Sequence, residues 1–345
     1  MKRKNNTAKN DMVAIDSSIN EFARQSSLAV NDYEILQVFH RPFSIVYKIL
    51  IHFSDESERI YYLKYYQREA NKNKPEVVER DFNTTQFWND HFKDHKEFNV
   101  IKPVYYDKQK FILISEESKG QNLSQLINTY GQFFPSLNAQ KKLLNMLALV
   151  GKWLRYFQSI PIEGQYEELG LDYFLDYVEI RLTRLVDNKK VAFDSTLKKQ
   201  VIAFIERQWA KKADADLQYC YIHSDLSLSN VLIYKDSITV LDFNEKETGL
   251  IYKDLTRLYH QLHLLYHKPV YPRRLIKNLK TAFLRGYGNE EIHNHPLFKM
   301  YQMIHIINHL GKTARYWEHD FIENIYNRWM VRNTLKELHK LVAKP

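Results

Sequence analysis

Between residues 221 and 245 the chain carries a histidine, several carboxylates and an amide at spacings that suit phosphate chemistry. The stretch reads Tyr221-Ile-His223-Ser-Asp225-Leu-Ser-Leu-Ser-Asn230, then Val231–Tyr234, Lys235-Asp236-Ser237, Ile238–Leu241 and Asp242-Phe-Asn-Glu245. Two apolar runs around a polar turn predict a hairpin. Centred on Asp236, that hairpin would set Asn230 opposite Asp242, each six residues from the centre. An amide oxygen and a carboxylate at its open end are hard ligands. They suit Mg2+, which keeps its other positions for water and phosphate. Asp225 lies five residues before Asn230, on the preceding loop. A carboxylate placed there can orient or deprotonate a hydroxyl beside the metal, as phosphoryl transfer requires. The competing reading is an ordinary hairpin with a capping asparagine and two turn acids.

His223-x-Asp225-x4-Asn230, then Asp242-Phe, then Lys253-Asp254-Leu, resembles the catalytic and metal segments of the kinase-like phosphotransferases. The nearest branch is that of the aminoglycoside phosphotransferases and choline kinases. Where protein kinases carry Asp-Phe-Gly, this chain carries Asp-Phe-Asn. The resemblance implies an α+β, bilobal, protein-kinase-like fold with a small antiparallel-sheet N-lobe and a larger, mostly helical C-lobe. It implies ATP and Mg2+ as cofactors. By the same resemblance Asp225 is the base, His223 braces its loop, and Asn230 and Asp242 hold Mg2+. Asp254 caps the next helix or ties it to the catalytic loop. Lys64, within Tyr61-Tyr-Leu-Lys-Tyr-Tyr66, matches the strand lysine that holds nucleotide phosphates, with Lys48 as the fallback. Glu79 is the expected partner of Lys64, with Glu76 second. Ser44 closes Arg41-Pro-Phe-Ser44, which stands in place of a Gly-rich phosphate loop and offers a hydroxyl and an N–H. Glu116, Glu117 and Ser118 form the connector whose backbone would meet the adenine edge.

Stepping from these residues to the elements that carry them, strands are predicted over Tyr33–His40, Ile45–His52, Arg59–Gln67 and Lys110–Glu116. Helices are predicted over Pro75–Phe92, Ala139–Phe157, Leu171–Leu185, Ser195–Ala210, Lys253–Tyr266, Arg273–Tyr287, Pro296–Tyr316 and Ile322–Val342. The best marked is Ala139–Phe157, with Leu143, Leu144, Met146, Leu147, Val150 and Leu154 on an apolar face. Residues 1–28 read as a polar tail with a short helix around Ile19–Arg24, residues 29–116 as the N-lobe and 117–345 as the C-lobe. His305 and His309 lie one helical turn apart, but no third ligand is spaced nearby, so they read as ordinary helix residues.

Composition narrows the remaining classes. At 345 residues, with 24 Tyr and 19 Phe, the chain can bury two cores. Cys220 is the sole cysteine, which excludes an intrachain disulfide and a cysteine zinc cluster. Met1-Lys-Arg-Lys-Asn-Asn-Thr has no apolar segment behind it and is unlike a signal peptide, and no apolar run reaches membrane-spanning length. A cytoplasmic location is therefore expected. The net charge of +9 is spread along the chain without a nucleic-acid motif. Lys268 to Arg285 is basic with no acid between. It is either a solvated helix face or a landing surface for an anionic acceptor, a glycan or, peripherally, a membrane. About ten residues separate Asp242 from Asp254, too few for a peptide-docking activation segment. A small-molecule or sugar/glycan hydroxyl, anionic or neutral, is thus the expected acceptor. Two other classes stay open: a catalytically inactive kinase-like nucleotide-binding or interaction module, and a polyanion (nucleic-acid) binder.

Overall fold

The computed structural model of the chain describes residues 2–26, 29–243, 245–315 and 321–343. It opens with α1 (Lys2–Gln25), followed by β1 (Val30–His40), β2 (Ser44–Phe53), β3 (Glu58–Tyr66) and α2 (Glu76–Phe92). Then come β4 (Phe98–Val100), β5 (Pro103–Asp107), β6 (Ile112–Glu116), β7 (Gln121–Asn122), α3 (Leu123–Gly131) and α4 (Leu137–Gln158). The middle holds α5 (Leu171–Asp187), α6 (Ser195–Ala210), β8 (Tyr219–Ile222), β9 (Val231–Tyr234), β10 (Ser237–Val240) and β11 (Glu247–Leu250). Last are α7 (Tyr252–Leu265), α8 (Arg273–Tyr287), α9 (Pro296–Thr313) and α10 (Phe321–Val342). Tyr316, the expected end of α9, lies outside the described residues. The chain divides into two compact units, Met1–Gln121 with Asn230–Lys246, and Asn122–Ser229 with Glu247–Pro345. The expected limits of 1–28, 29–116 and 117–345 treated each lobe as continuous; contacts instead return the β9–β10 hairpin to the first unit.

The first unit is built on an antiparallel sheet ordered β1-β2-β3-β6-β5. Along β2 and β3 every second residue (Tyr47, Ile49, Ile51 and Phe53; Tyr61 and Leu63) is buried on one face. Helix α1 covers that face with Ile15, Ile19 and Phe22, and Phe22 meets the Tyr61 ring edge-on at 5.1 Å. The short helix expected at Ile19–Arg24 is thus the end of a 24-residue helix. Its apolar stripe is sparse, and the sheet underneath supplies the burial that propensity alone would not. Side chains on the opposite face, Tyr66 and Leu113 among them, pack against Val78 of α2.

A second sheet, ordered β4-β10-β9-β7, carries the hairpin. Its register pairs Ser237 with Tyr234 and Val240 with Val231 around a two-residue turn. Lys235 opens that turn with a left-handed φ of 52°. The centre therefore falls between Lys235 and Asp236. Asn230 faces Leu241, whose N–H donates to the Asn230 carbonyl at 2.9 Å, rather than Asp242. Expecting a three-residue turn had shifted the pairing by one.

In the second unit α4 and α8 run backbone against backbone. A Cβ added at Gly151 would sit 2.1 Å from the Phe283 carbonyl oxygen, and one at Gly286 1.9 Å from that of Ala148. Along α4, Leu143, Leu147, Val150, Trp153, Leu154 and Phe157 are fully buried. The two-stranded β8–β11 ladder pairs Ile222 with Glu247, which brackets the loop that follows β8.

Candidate active site

Lys64 and Tyr66 are two apart on β3 and so share the face that meets α2. The Lys64 Nζ lies 2.9 Å from Asp81 Oδ2 and 3.2 Å from Asp242 Oδ1, and the Tyr66 hydroxyl also donates to Asp81. Burial alone would push the Lys64 ammonium down. The carboxylates of Asp242 and Asp81 outweigh it and hold its pKa well above the ordinary lysine value. The expected partner Glu79 is not there: its carboxylate takes Lys108 at 3.0 Å and the Tyr106 hydroxyl at 3.2 Å. The reason is helical phase. Val78, Asp81, Thr85, Trp88 and Phe92 form the buried stripe of α2, and Glu76 and Glu79 fall off it.

Asp242 stands just past β10 with a left-handed φ of 60°, which aspartate adopts more readily than most side chains. Its carboxylate is half exposed. The residues after it are pinned along α2. The Phe243 ring packs on Trp88 at 5.7 Å, Glu245 pairs with Arg80 at 2.7 Å, and the Lys246 ammonium lies 3.7 Å over the Phe87 ring. Asn244 is outside the described residues. Asn230 is buried, one ladder bond from the residue before Asp242.

The other expected nucleotide residues fall along the same unit. Ser44 is buried, and its carbonyl accepts from the Arg41 N–H at 2.8 Å, closing the β1–β2 turn. The Glu116 N–H donates to Lys102 O at 2.9 Å and the Glu117 N–H to Ile60 O at 3.1 Å. The Glu117 carboxylate pairs with Lys48 at 2.8 Å, which gives that lysine a partner of its own. The Ser118 hydroxyl donates to Thr239 at 2.7 Å. Gly120 follows with a φ of +134°, where a Cβ would come within 2.9 Å of the Ile233 carbonyl oxygen.

In the second unit Asp254, fully buried on α7, accepts from the backbone N–H groups of His223 at 2.6 Å and Ser224 at 2.9 Å. Burial pushes the Asp254 carboxyl up, while His223 and these donors oppose the shift. The tie holds Ser224 at a left-handed φ of 65°, and the Ser224 hydroxyl donates to Glu247. Asp225 follows, and the Arg257 guanidinium donates to its carboxylate. Arg257 is three residues beyond Asp254, on the same face of α7. Neither Asp81 nor Arg257 was singled out from the sequence. Arg257 was detectable as the helical neighbour of Asp254, and Asp81 only by phasing the apolar stripe of α2.

Among the described residues, one group of three metal-type ligands converges: His263, His267 and Glu337. Glu337 lies 2.6 Å from His263 and 3.2 Å from His267. Burial alone would raise its carboxyl, but the two imidazoles hold it far below the usual range. Lys280 Nζ is 3.2 Å from the other nitrogen of His263, the position a metal ligand normally gives to an acceptor. The group reads as an ion network. His305 and His309 are not part of it, and His305 Nε2 lies 3.2 Å from the Lys253 carbonyl oxygen.

The sequence matches the model of a family described as the phosphotransferase enzyme family over residues 131–295, which include Asp225, Asn230 and Asp242. No curated protein sequence matches the chain. Solved structures match it over nearly all its length. A thermostable mutant of aminoglycoside phosphotransferase APH(4)-Ia, in a ternary complex with AMP-PNP and hygromycin B, is 14% identical, covering 92% of this chain and 96% of its own, with a TM-score of 0.56. Amicoumacin kinase in complex with AMP-PNP, Ca2+ and Ami is 15% identical over 93% of this chain and 96% of its own, with a TM-score of 0.55. Choline kinase LicA from Streptococcus pneumoniae is 14% identical over 93% and 98%, at 0.52. At such identities the likeness speaks for the fold, which is protein-kinase-like and α+β. Over residues 131–295 the chain resembles the phosphotransferase enzyme family by sequence, and over nearly all its length its fold is similar to those of the aminoglycoside phosphotransferase and the choline kinase.

Proposed function

We propose that the protein is an ATP-dependent phosphotransferase that moves the γ-phosphate to a hydroxyl of a small molecule or sugar. The observation that carries this reading is the Lys64 ammonium held at 2.9 Å and 3.2 Å between Asp81 and Asp242. It is a part-buried cation beside a half-exposed carboxylate, as a nucleotide's phosphates and their metal require. Asp242 and Asn230 would supply hard oxygens of the kind Mg2+ takes. When bound, the ion would neutralise phosphate charge. Lys64 would shift from Asp242 toward phosphate oxygens, with Asp81 keeping it charged and aimed. Ser44 would lie at the phosphate loop. With the Glu116 and Glu117 amides already engaged, the adenine edge would fall toward Ser118.

On the second unit, Asp225 would accept the acceptor's proton as its oxygen attacks. Arg257 would orient that carboxylate through its hydrogen bond, and Asp254 would lock the loop through His223 and Ser224. The acceptor we favour is neutral or anionic, in keeping with the net charge of +9. Calorimetry with ATP, with and without Mg2+, on wild type and Asp242→Ala is the test. Mg2+-dependent binding that the substitution weakens supports the assignment; absence of ATP and GTP binding under every metal condition overturns it. Asp225→Asn should keep nucleotide affinity and lose about 100-fold or more in turnover once an acceptor is found.

A further inference from the structure

Two stretches of the chain contain no acidic residue, Lys119–Ile162 and Leu255–Asn289. The second unit packs α4 from the first stretch directly on α8 from the second, with the Gly151 and Gly286 backbones in contact. Their outward side chains include Lys141, Lys142, Arg273, Arg274 and Lys277, all exposed. The basic cluster on α8 is therefore half of a larger field. Lys280 is the exception, turned inward to His263 and the Tyr259 ring.

At one end of this field the loop from α3 to α4 presents large apolar side chains to water. Phe133 is 63% exposed, Phe134 98% and Leu137 82%. Phe133 has a left-handed φ of 55°, unfavourable for an aromatic residue, and its N–H donates to the Val270 carbonyl at 2.6 Å. The backbone is thus anchored to the segment that leads into α8 while the rings point outward. The apolar surface continues along that segment. The Lys268 ammonium lies 5.5 Å over the Tyr326 ring, and the indole of Trp329 donates to the His267 carbonyl at 3.0 Å. Both aromatic residues are exposed on α10.

Protruding phenylalanines, flanking Tyr and Trp, and the lysines and arginines of two acid-free stretches of chain have the chemistry of the bilayer interface. Aromatic rings settle at headgroup depth, and cations meet anionic lipids. We propose that this face of the second unit docks on an anionic lipid surface, with Phe133, Phe134 and Leu137 entering the headgroup layer. This proposal is independent of the catalytic assignment.

Flotation of the full chain with vesicles tests it, using phosphatidylcholine alone and phosphatidylcholine with phosphatidylglycerol, at low and high salt. Binding is expected to the anionic vesicles and to weaken with salt. Phe133→Ser with Phe134→Ser should abolish it, and Arg273→Glu with Arg274→Glu should weaken it by about tenfold or more. Lys96→Glu, an exposed reversal on the first unit, should bind as wild type. All substituted side chains are exposed, and an unchanged thermal midpoint confirms folding. No binding to anionic vesicles overturns the proposal, as does an equal loss in Lys96→Glu. Self-association that the double phenylalanine variant removes, without vesicle binding, would give the face to a second copy of the chain.

Discussion

Lys64 shows how much one side chain can depend on its neighbours. A part-buried ammonium in this apolar surrounding is tolerated because Asp81 and Asp242 face it. Asp81→Ala should therefore lower stability by about 3 kcal/mol in urea unfolding and weaken ATP binding. Glu79→Ala, which loses an exposed pair with Lys108, should leave both unchanged. Equal effects of the two would return the pairing role to Glu79. Arg257→Met should lower turnover with nucleotide affinity intact, since it removes the cation that orients Asp225. Motif spacing could point to Asp225, Asn230 and Asp242 because those residues lie within one short stretch of chain. The partner of Lys64 lies 17 residues away on another element. Spacing cannot reach that far, though the stripe from Val78 to Phe92 contains the answer for a reader who phases the helix.

At the scale of elements, long periodic segments were legible. The predicted Ser195–Ala210 and Arg273–Tyr287 are observed with the same ends. The short strands β4, β5, β8 and β11 were not read, because three to five residues carry too little alternation to stand out before their partners are known. The hairpin was visible but its register was not. A two-residue and a three-residue turn fit the same polar triplet, and only the left-handed Lys235 decides between them. Close helix approach was equally hidden. Gly151 and Gly286 look like weak points in a helix until α4 and α8 meet. Gly286→Ala should gain a fraction of a kcal/mol in helix propensity and lose about 3 kcal/mol or more to overlap with the Ala148 backbone. A rise in its denaturation midpoint would show that the helices can part.

For the whole molecule, acidity is the condition to which buried imidazoles make it sensitive. Burial lowers His305 to about 4, helped by Arg257 and Lys253, and lowers His309 to about 4 with Lys312 adding to it. Burial also holds His260 well below its ordinary value. At His305 and His309 the unfolded chain takes its protons near 6.5 and the native chain only near 4, so between those values the unfolded state binds more protons. Stability is full above 6.5 and drains as pH falls toward 4, by on the order of 3 kcal/mol for His305 alone. His305→Gln should flatten the acid limb of the midpoint-against-pH curve, and an unchanged limb would count against this account. The division of the first unit into Met1–Gln121 and Asn230–Lys246 has a consequence for synthesis. Strand β4 pairs in parallel with β10, so its partner does not exist when β4 leaves the ribosome. Residues 101–236 must be translated in between, a wait of about 7–27 s at ordinary elongation rates. The nascent first unit would then carry an open strand edge throughout that interval, and chaperone demand should peak before residue 246 emerges.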